Sequence, residues 1–221
     1  MNIYQLTKRL FDIIFSFFLL LLLLPVFLFV VIVQLIVEGR PIFYVSHRYV
    51  SIDNEISIPK FRTMVPDAKS EKYRLNERFM RDGYLDIPLT CEVYTPIGRL
   101  LERTQLVETL QFLLVLAGHM SFIGNRPLPL DNIKVLQQFD GWEGRFKSPA
   151  GISGITQVVG KYELLPRDRL ELEKLYSDVY QWGNVVKCDM VIAIYTIRLL
   201  LLGKTMPVDT ARELLTSCLA K

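Results

Sequence analysis

Residues 104–129, TQLVETLQFLLVLAGHMSFIGNRPLP, run from a polar start through an apolar helix-like stretch to a Gly-Asn-Arg-Pro turn at positions 124–127. Thr104 suits the N-cap of a helix along which Thr104, Glu108 and Gln111 form a polar stripe. The positive end of the helix dipole favours a carboxylate at Glu108. The ordinary alternative is a solvated surface glutamate, but the wholly apolar run that follows argues against it. The stretch therefore predicts an anion or metal site formed by Glu108 and the arginine of the turn, Arg126.

The composition fits one domain with room for a membrane segment. Hydrophobic residues make up 51% of the 221 residues, and the excess lies near the start of the chain. Lys plus Arg exceed Asp plus Glu by only 26 to 23, which argues against a nucleic-acid partner because that needs a dense basic face. The weak basicity fits a membrane-facing protein or local phosphate binding. The three cysteines are isolated, so we expect buried free thiols in a reducing compartment.

An uncharged segment at residues 13–33 follows Lys8 and Arg9 and is long enough to cross a hydrocarbon core of about 30 Å. Pro25 removes one helical hydrogen bond and should bend or break this helix. One interpretation is a spanning anchor, which composition favours because proline is common in spanning helices. The other is a re-entrant helix that returns to the face it entered. Cations at both ends, including Arg40, give no inside–outside asymmetry and agree with the second interpretation.

Two short strands are predicted at residues 41–45 and 56–64, with a hairpin-like loop at 51–55 between them. Lys60 and Arg62 lie on one face of the second strand because side chains alternate with a period of two. This pair is either an anion-facing fork or part of a solvated face, and the sequence favours neither.

Helical patterns cover most of the remaining chain. A Gly- and Ser-rich segment with basic residues at 145–161 predicts either a phosphate-cradling loop or a plain connection. The apolar helix at 185–202 suits a membrane surface or a core. The other predicted helices are a solvated one at 67–82, short ones at 96–103 and 129–139, an amphipathic one at 166–180, and a final one opened by a capping box at 210–213.

Short motifs occur in a characteristic order along almost the whole chain. They are KRLFD at 8–12, Pro25 in the apolar run, PIFY at 41–44, Arg48, KFRTM at 60–64, Thr95 with Gly98 and Arg99, Gly118 with Met120 and Ser121, Gly124 with Arg126 and Pro127, GISG at 151–154, and Gln157 with Gly160. Together they resemble the bacterial sugar transferase family, the small monotopic phosphoglycosyl transferases that begin polysaccharide and glycoconjugate assembly.

The resemblance implies an α/β, mostly helical fold in three parts. Residues 1–40 form a re-entrant membrane helix broken at Pro25, which reverses the preference for a spanning anchor, and Lys8 and Arg9 lie at the membrane. Residues 41–203 form a compact cytoplasmic domain with a small β element, and residues 204–221 form a C-terminal helix. The protein is then expected on the lipid bilayer, at the cytoplasmic face of the bacterial inner membrane.

The resemblance also implies transfer of a sugar 1-phosphate from a nucleotide diphosphate sugar to a polyprenyl phosphate, with Mg²⁺. In the family an Asp attacks the phosphate and an adjacent Glu helps to hold the metal, because a carboxylate nucleophile needs a metal and arginines to neutralise the phosphates. That pair aligns with Val107 and Glu108, so Glu108 is the expected catalytic and metal-binding residue and the nucleophile is missing. The expected substrate-binding residues are Lys60, Arg62, Arg99, Arg126 and Gln157.

Further departures from the family pattern lie near Val107, among them Leu110, His119 and Asn125. Three functions remain open from the sequence. The protein is an active transferase that uses Glu108, another carboxylate or direct attack by the acceptor; a catalytically degenerate relative that serves polysaccharide assembly as a membrane-bound partner or regulator; or a membrane-anchored structural module. The sugar, the nucleotide, the lipid and any homo- or hetero-oligomer are not specified by the sequence.

Overall fold

Helix α1 (Ile3–Val37) forms the N-terminal part of the computed structural model, which describes residues 2–81, 83–160 and 164–220. The side chains of Asn2 and Gln5 cap its first turn reciprocally. Within the described ranges, α1 is the one helix long and apolar enough to cross a membrane by length and composition. Only 11% of its most apolar 18-residue window is buried, so that part of the helix has few protein neighbours.

Pro25 lies inside α1, and the helix continues through it without interruption. Its ring removes one backbone hydrogen bond, but the residues on both sides keep a helical conformation. The predicted break is therefore not an end of the helix, and the re-entrant path stays a prediction.

Both ends of α1 contact the same domain. Near its start, Arg9 Nη1 donates a hydrogen bond to the carbonyl of Val115 at 2.7 Å. Near its end, Gln34 Nε2 donates to the carbonyl of Arg62 at 2.6 Å. A helix of 35 residues is about 50 Å long. The domain therefore connects two distant points of α1 rather than being attached to one end.

Lys8 and Arg9 bind protein groups, and their predicted position at the membrane stays a prediction. Lys8 is only 4% exposed, and its ammonium donates to the carboxylate of Asp189 at 2.6 Å and to the carbonyl of Ile123 at 2.8 Å. Arg9 binds the last carbonyls of α4 (Gln111–Leu116), where a cation complements the negative end of the helix. The two cations fasten α1 to the domain.

The predicted hairpin is confirmed as β1 (Phe43–Tyr49) paired antiparallel with β2 (Glu55–Phe61). Its inner face includes Ser46 and Ile58, which are paired and buried. Since side chains alternate along a strand, Arg48 and Lys60 lie on this same face. The hairpin thus presents two cations towards the domain.

The charged segment at 67–82 is not the single helix predicted. Arg74 has a left-handed conformation with φ of 47°, which prevents a helix from running through it. Asp82, at the end of the predicted helix, lies outside the described residues. The segment contains a 3₁₀ turn at Glu71–Tyr73, α2 (Leu75–Phe79), and strand β3 (Met80–Arg81), which pairs with β4 (Tyr84–Leu85).

The Gly- and Ser-rich segment at 145–161 is largely regular structure rather than the predicted loop, and its role in binding phosphate stays a prediction. It starts within a 3₁₀ helix at Trp142–Lys147 and continues into β6 (Gly151–Ser153) and α6 (Ile155–Val159). Strand β6 pairs in parallel with β5 (Ser121–Ile123). Lys161, at the predicted end, lies outside the described residues.

The predicted fold class, mostly helical with a small β element, is confirmed. The main core contains Tyr176, Ile192 and Leu215, all fully buried. Cys91, Cys188 and Cys218 are buried and free, as predicted. The last helix begins after Pro207, so the predicted capping box at 210–213 is wrong. The remaining helices are α3 (Pro96–Thr104), α5 (Leu130–Leu136), α7 (Pro166–Trp182), α8 (Val185–Leu202) and α9 (Val208–Leu219).

Candidate functional site

Glu108 lies in a tight bend between α3 and α4, not in a helix capped by Thr104. Helix α3 ends at Thr104, and Gln105 then takes a left-handed conformation with φ of 58°. A 3₁₀ turn at Leu106–Glu108 follows. Thr104 Oγ1 donates to the carbonyl of Leu100 at 2.8 Å within its own helix, so the predicted N-cap and the stripe built on it are wrong. The bend, rather than a helix start, directs Glu108 into the protein.

The Glu108 carboxylate is held between two cations. Lys60 Nζ donates to Oε1 at 3.1 Å, and Arg126 Nη2 donates to the same oxygen at 2.6 Å. The second guanidinium nitrogen of Arg126 reaches Oε2 at 3.5 Å. Burial alone would raise the pKa of Glu108, but the two cations outweigh it and hold the pKa well below its usual range. Glu108 is therefore ionised, and both of its oxygens are in contact with positive groups.

Lys60 and Arg126 respond differently to this environment. Burial lowers the pKa of Lys60, although Glu108 opposes the change. The attraction of Glu108 raises the pKa of Arg126, although burial opposes that change. Their side chains retain 18% and 27% exposure, whereas Glu108 retains 9%. The cations therefore lie between the carboxylate and solvent, where an anion can reach them.

A buried polar network fixes the backbone that carries Arg126. The guanidinium of Arg145 donates to the carbonyl of Arg126 at 2.7 Å and to the carboxylate of Glu173 at 2.7 Å. The Arg145 and Glu173 side chains are 1% and 0% exposed. The amide of Asn125, the residue before Arg126, donates to the carbonyls of Arg145 and Glu173 at 2.8 and 2.9 Å. Buried hydrogen bonds thus fix the backbone position of Arg126.

Close contact between β5 and β6 also positions this turn, and we expect Gly154→Ala to destabilise the protein. A Cβ at Gly154 would lie 2.0 Å from the carbonyl oxygen of Gly124, so the backbones would have to separate. We expect a loss of about 1–3 kcal/mol in the free energy of unfolding, measured by thermal unfolding in detergent. Gly144→Ala is the control, because its Cβ would meet only the flexible side chain of Lys174, at 3.2 Å. Equal unfolding temperatures for the two variants would contradict this account.

Arg48 is a site residue that was not among the predicted binding residues. Burial lowers the pKa of Arg48, and the positive charge of Arg126 lowers it further, so the two guanidinium groups lie in each other's field. Among the described residues, the Arg48 side chain forms no hydrogen bond and no ion pair. The alternation of side chains puts Arg48 and Lys60 on the same face of the hairpin, and this was the signal that could have identified Arg48. The backbone N–H of Tyr49 then joins the hairpin to the turn through the carbonyl of Leu128 at 2.8 Å.

Arg62 does not join Lys60 in an anion-facing fork. It follows the end of β2, and its guanidinium donates to the carbonyls of Pro41, Glu38 and Gly39 at 2.5 to 3.2 Å. A carboxylate oxygen of Glu38 lies 3.8 Å away. Arg62 therefore secures the end of α1 instead of facing Glu108.

The other two predicted binding residues have different positions. Gln157 Nε2 donates to the carbonyl of Ile152 at 3.3 Å, the oxygen that Arg126 Nη1 reaches at 3.4 Å, so Gln157 adjoins the site. Arg99 lies on α3 and makes no described contact with Glu108. Its buried Nε has no hydrogen-bond partner among the described residues. Their roles in binding substrate stay predictions.

Val107 packs away from the cations. It is 3% exposed and belongs to an apolar cluster with Val30, Phe61 and Leu101. Because Val30 is on α1, this contact joins the bend to the second half of that helix. Val107 therefore serves as a packing contact here, and its correspondence to the family nucleophile stays a prediction.

The residues present do not fit a Mg²⁺ ion. Mg²⁺ is usually held by one or two carboxylates together with waters and substrate phosphates, and no group of three Asp, Glu, His or Cys side chains occurs in the described parts of the chain. The fit therefore depends on the carboxylates nearest the site. Glu108 already contacts two cations. The nearby acid Glu102 accepts a hydrogen bond from Thr63 Oγ1 at 3.1 Å. Both candidate carboxylates are thus engaged by protein groups, and the metal itself stays a prediction.

The sequence pattern of the family described as bacterial sugar transferase matches residues 3–203. The chain belongs to this family. The match includes α1, the hairpin and every residue of the Glu108 site, and it ends before α9.

Named relatives agree with this membership. An uncharacterized sugar transferase, EpsL, of Bacillus subtilis (strain 168) is 27% identical over 197 residues, which are 89% of this chain and 88% of the relative. The exopolysaccharide production protein ExoY of Rhizobium meliloti (strain 1021) is 27% identical over 198 residues, 86% of this chain and 83% of the relative. A UDP-glucose:undecaprenyl-phosphate glucose-1-phosphate transferase of Escherichia coli (strain K12) is 31% identical over 157 residues, 71% of this chain and 32% of that longer protein.

Proposed function

We propose that the protein transfers a sugar 1-phosphate from a nucleotide diphosphate sugar to a polyprenyl phosphate, as the first step of polysaccharide or glycoconjugate assembly. The observation that carries the proposal is the cluster of Lys60, Arg126 and Glu108, a cationic site on a sugar transferase fold. Relatives whose names state a reaction use a UDP-sugar and undecaprenyl phosphate. Paired cations near a developing charge are a general means of stabilising phosphoryl transfer.

The contacts of α1 support a re-entrant position on the cytoplasmic face of the inner membrane. A spanning helix puts its two ends on opposite sides of a hydrocarbon core of about 30 Å, yet Arg9 and Gln34 both bind the one domain. The exposed apolar middle of α1 would enter the bilayer, and the domain would remain at its surface. This position brings the Glu108 site to the level of a polyprenyl phosphate headgroup.

The geometry favours direct attack by the acceptor. An oxygen of the polyprenyl phosphate would form a new bond to the sugar-bearing phosphorus. The bridging P–O bond would break, and its electron pair would leave with the nucleoside monophosphate. Val107 offers no nucleophile, and Glu108 is a weak one because two cations stabilise its negative charge. Lys60 and Arg126 would hold the diphosphate and stabilise the charge that develops on the leaving phosphate.

Labelled membranes test the proposed function. We expect membranes that contain the full chain, given labelled nucleotide sugars, polyprenyl phosphate and Mg²⁺, to produce labelled lipid. Glu108→Ala should reduce the product at least about 100-fold, because the two cations lose the group that orients them. Direct attack further predicts that no phosphosugar-labelled protein accumulates. A protein adduct lost in Glu108→Ala would instead identify Glu108 as the nucleophile.

The burial of Val107 favours a second function, that of a catalytically degenerate partner or regulator of polysaccharide assembly. In this case wild type makes no product with any sugar, whereas Val107→Asp gains activity on an otherwise intact scaffold. If neither wild type nor Val107→Asp forms product while an active relative assayed in parallel does, the proposed transfer is contradicted. Product from wild type would exclude the degenerate function.

A further inference from the structure

Three cations meet one carboxylate at the proposed site. Lys60 and Arg126 bind Glu108 directly, at 3.1 and 2.6 Å. Arg48 lies on the same face of the hairpin as Lys60, close enough to Arg126 and Glu108 to feel their charges, and it has no protein acceptor among the described residues. Glu102 is a second acid that attracts Arg126, and it also accepts a hydrogen bond from Thr63, so two carboxylates face three cations. The cluster therefore carries positive charge that its own acids do not balance.

The cations also have hydrogen-bond donors to spare. An ammonium has three N–H donors and a guanidinium has five. In the described structure, Lys60 uses one donor, to Glu108, and Arg48 uses none. A partly buried cation without an acceptor is costly, so the site is suited to an anion that supplies both charge and oxygen atoms. The diphosphate of a nucleotide sugar has one negative charge on each phosphate and several acceptor oxygens.

A divalent cation would have the opposite effect on this cluster. It would add positive charge next to three cations and compete for the carboxylate that Lys60 and Arg126 already bind. We propose that the site binds the diphosphate of its nucleotide sugar through Arg48, Lys60 and Arg126 without a divalent metal. Glu108 is then an internal counter-ion that orients two of these cations rather than a metal ligand. The inference rests on the proposed function, because it takes the nucleotide sugar as the ligand.

Calorimetric titration of the full-length protein in detergent with UDP and with inorganic pyrophosphate tests this inference. We expect both probes to bind at least as tightly in excess EDTA as in excess MgCl₂, since Mg²⁺ would neutralise the anion that the cluster attracts. Arg48→Met should weaken binding about tenfold or more, the effect of about one charge-assisted hydrogen bond. Arg103→Met, at an exposed position of α3, is the matched control and should bind as wild type does.

Two further readouts separate a binding role from a structural one. Without ligand, Arg48→Met should unfold at a higher temperature than wild type, because it removes a repulsive charge that has no described acceptor, whereas a structural arginine would give a lower temperature. Glu108→Gln should retain UDP binding in EDTA. Binding that occurs only with Mg²⁺, and that Glu108→Gln abolishes, overturns the metal-free site but leaves the transfer reaction standing. If neither probe binds in either buffer, the inference is overturned, and so is the proposal that a nucleotide diphosphate sugar is the donor.

Discussion

Arg126→Ala should reduce transfer by about 100- to 1,000-fold, the usual cost of losing one charge-stabilising group in an active site. Arg126 contacts both oxygens of Glu108 and lies in the field of Arg48, so its removal affects the orientation of the carboxylate and the binding of phosphate together. Arg126→Lys should recover only part of the activity, because lysine keeps the charge but cannot form the two-pronged contact. The measurement is the initial rate of labelled polyprenyl diphosphate sugar formation.

Arg103→Ala serves as the control for Arg126→Ala, since Arg103 is exposed at the end of α3 and should be dispensable. Thermal unfolding of each variant establishes that the loss concerns chemistry rather than folding. Arg126→Ala protein that is folded and keeps more than about a tenth of the wild-type rate would remove Arg126 from the proposed machinery.

Lys8→Met should lower the free energy of unfolding by about 3–5 kcal/mol, the range for breaking a buried ion pair on one side. It would leave Asp189 without its cation, and it would also remove the hydrogen bond to the carbonyl of Ile123. Asp12, whose carboxylate lies 3.8 Å from the Lys8 ammonium, would lose a second attraction. The expected observation is a large fall in unfolding temperature in detergent, with α1 becoming sensitive to protease near its start.

The double variant Lys8→Met/Asp189→Leu should recover much of this loss, because no Asp189 carboxylate is then left without its cation, and Asp12 keeps its hydrogen bonds from Ser121 and Phe122. The Tyr176 hydroxyl, which donates to Asp189 at 2.8 Å, can still reach the carbonyl of Ile123 at 3.2 Å. Lys187→Met, at an exposed position on α8, is the control and should be neutral. A double variant no more stable than Lys8→Met would show that the ion pair is not what fastens α1.

Elements with a strong local signal were predictable from the sequence. The long apolar run determines α1, and alternating side chains with a turn between them determine the hairpin. Glu108 and Arg126 were correctly paired because one lies just before the apolar run and the other in the turn after it. Thr104 was misassigned because a threonine hydroxyl can cap the next helix or bond back to its own, and only the left-handed Gln105 decides between them.

Features that depend on docking were not predictable. The sequence pattern showed that Arg48 and Lys60 share a face of the hairpin. Their approach to Arg126 depends on where the hairpin attaches to the turn, through Tyr49 and Leu128. Alternation also placed Arg62 beside Lys60, but the strand ends at Phe61 and Arg62 instead binds the carbonyls at the end of α1. In both cases contacts distant in sequence override a local pattern.

The fastening of α1 at both ends has a consequence for the lipid environment. A helix that bridges two bilayer surfaces must match the hydrocarbon thickness, and mismatch tilts it or deforms the lipid. With Arg9 and Gln34 both bound to the domain, the proposed topology leaves α1 no second surface to match. In that proposed topology the shape of the domain would set the depth of α1, and the height of the Glu108 site above the acyl chains would stay constant when lipids of different chain length surround the protein.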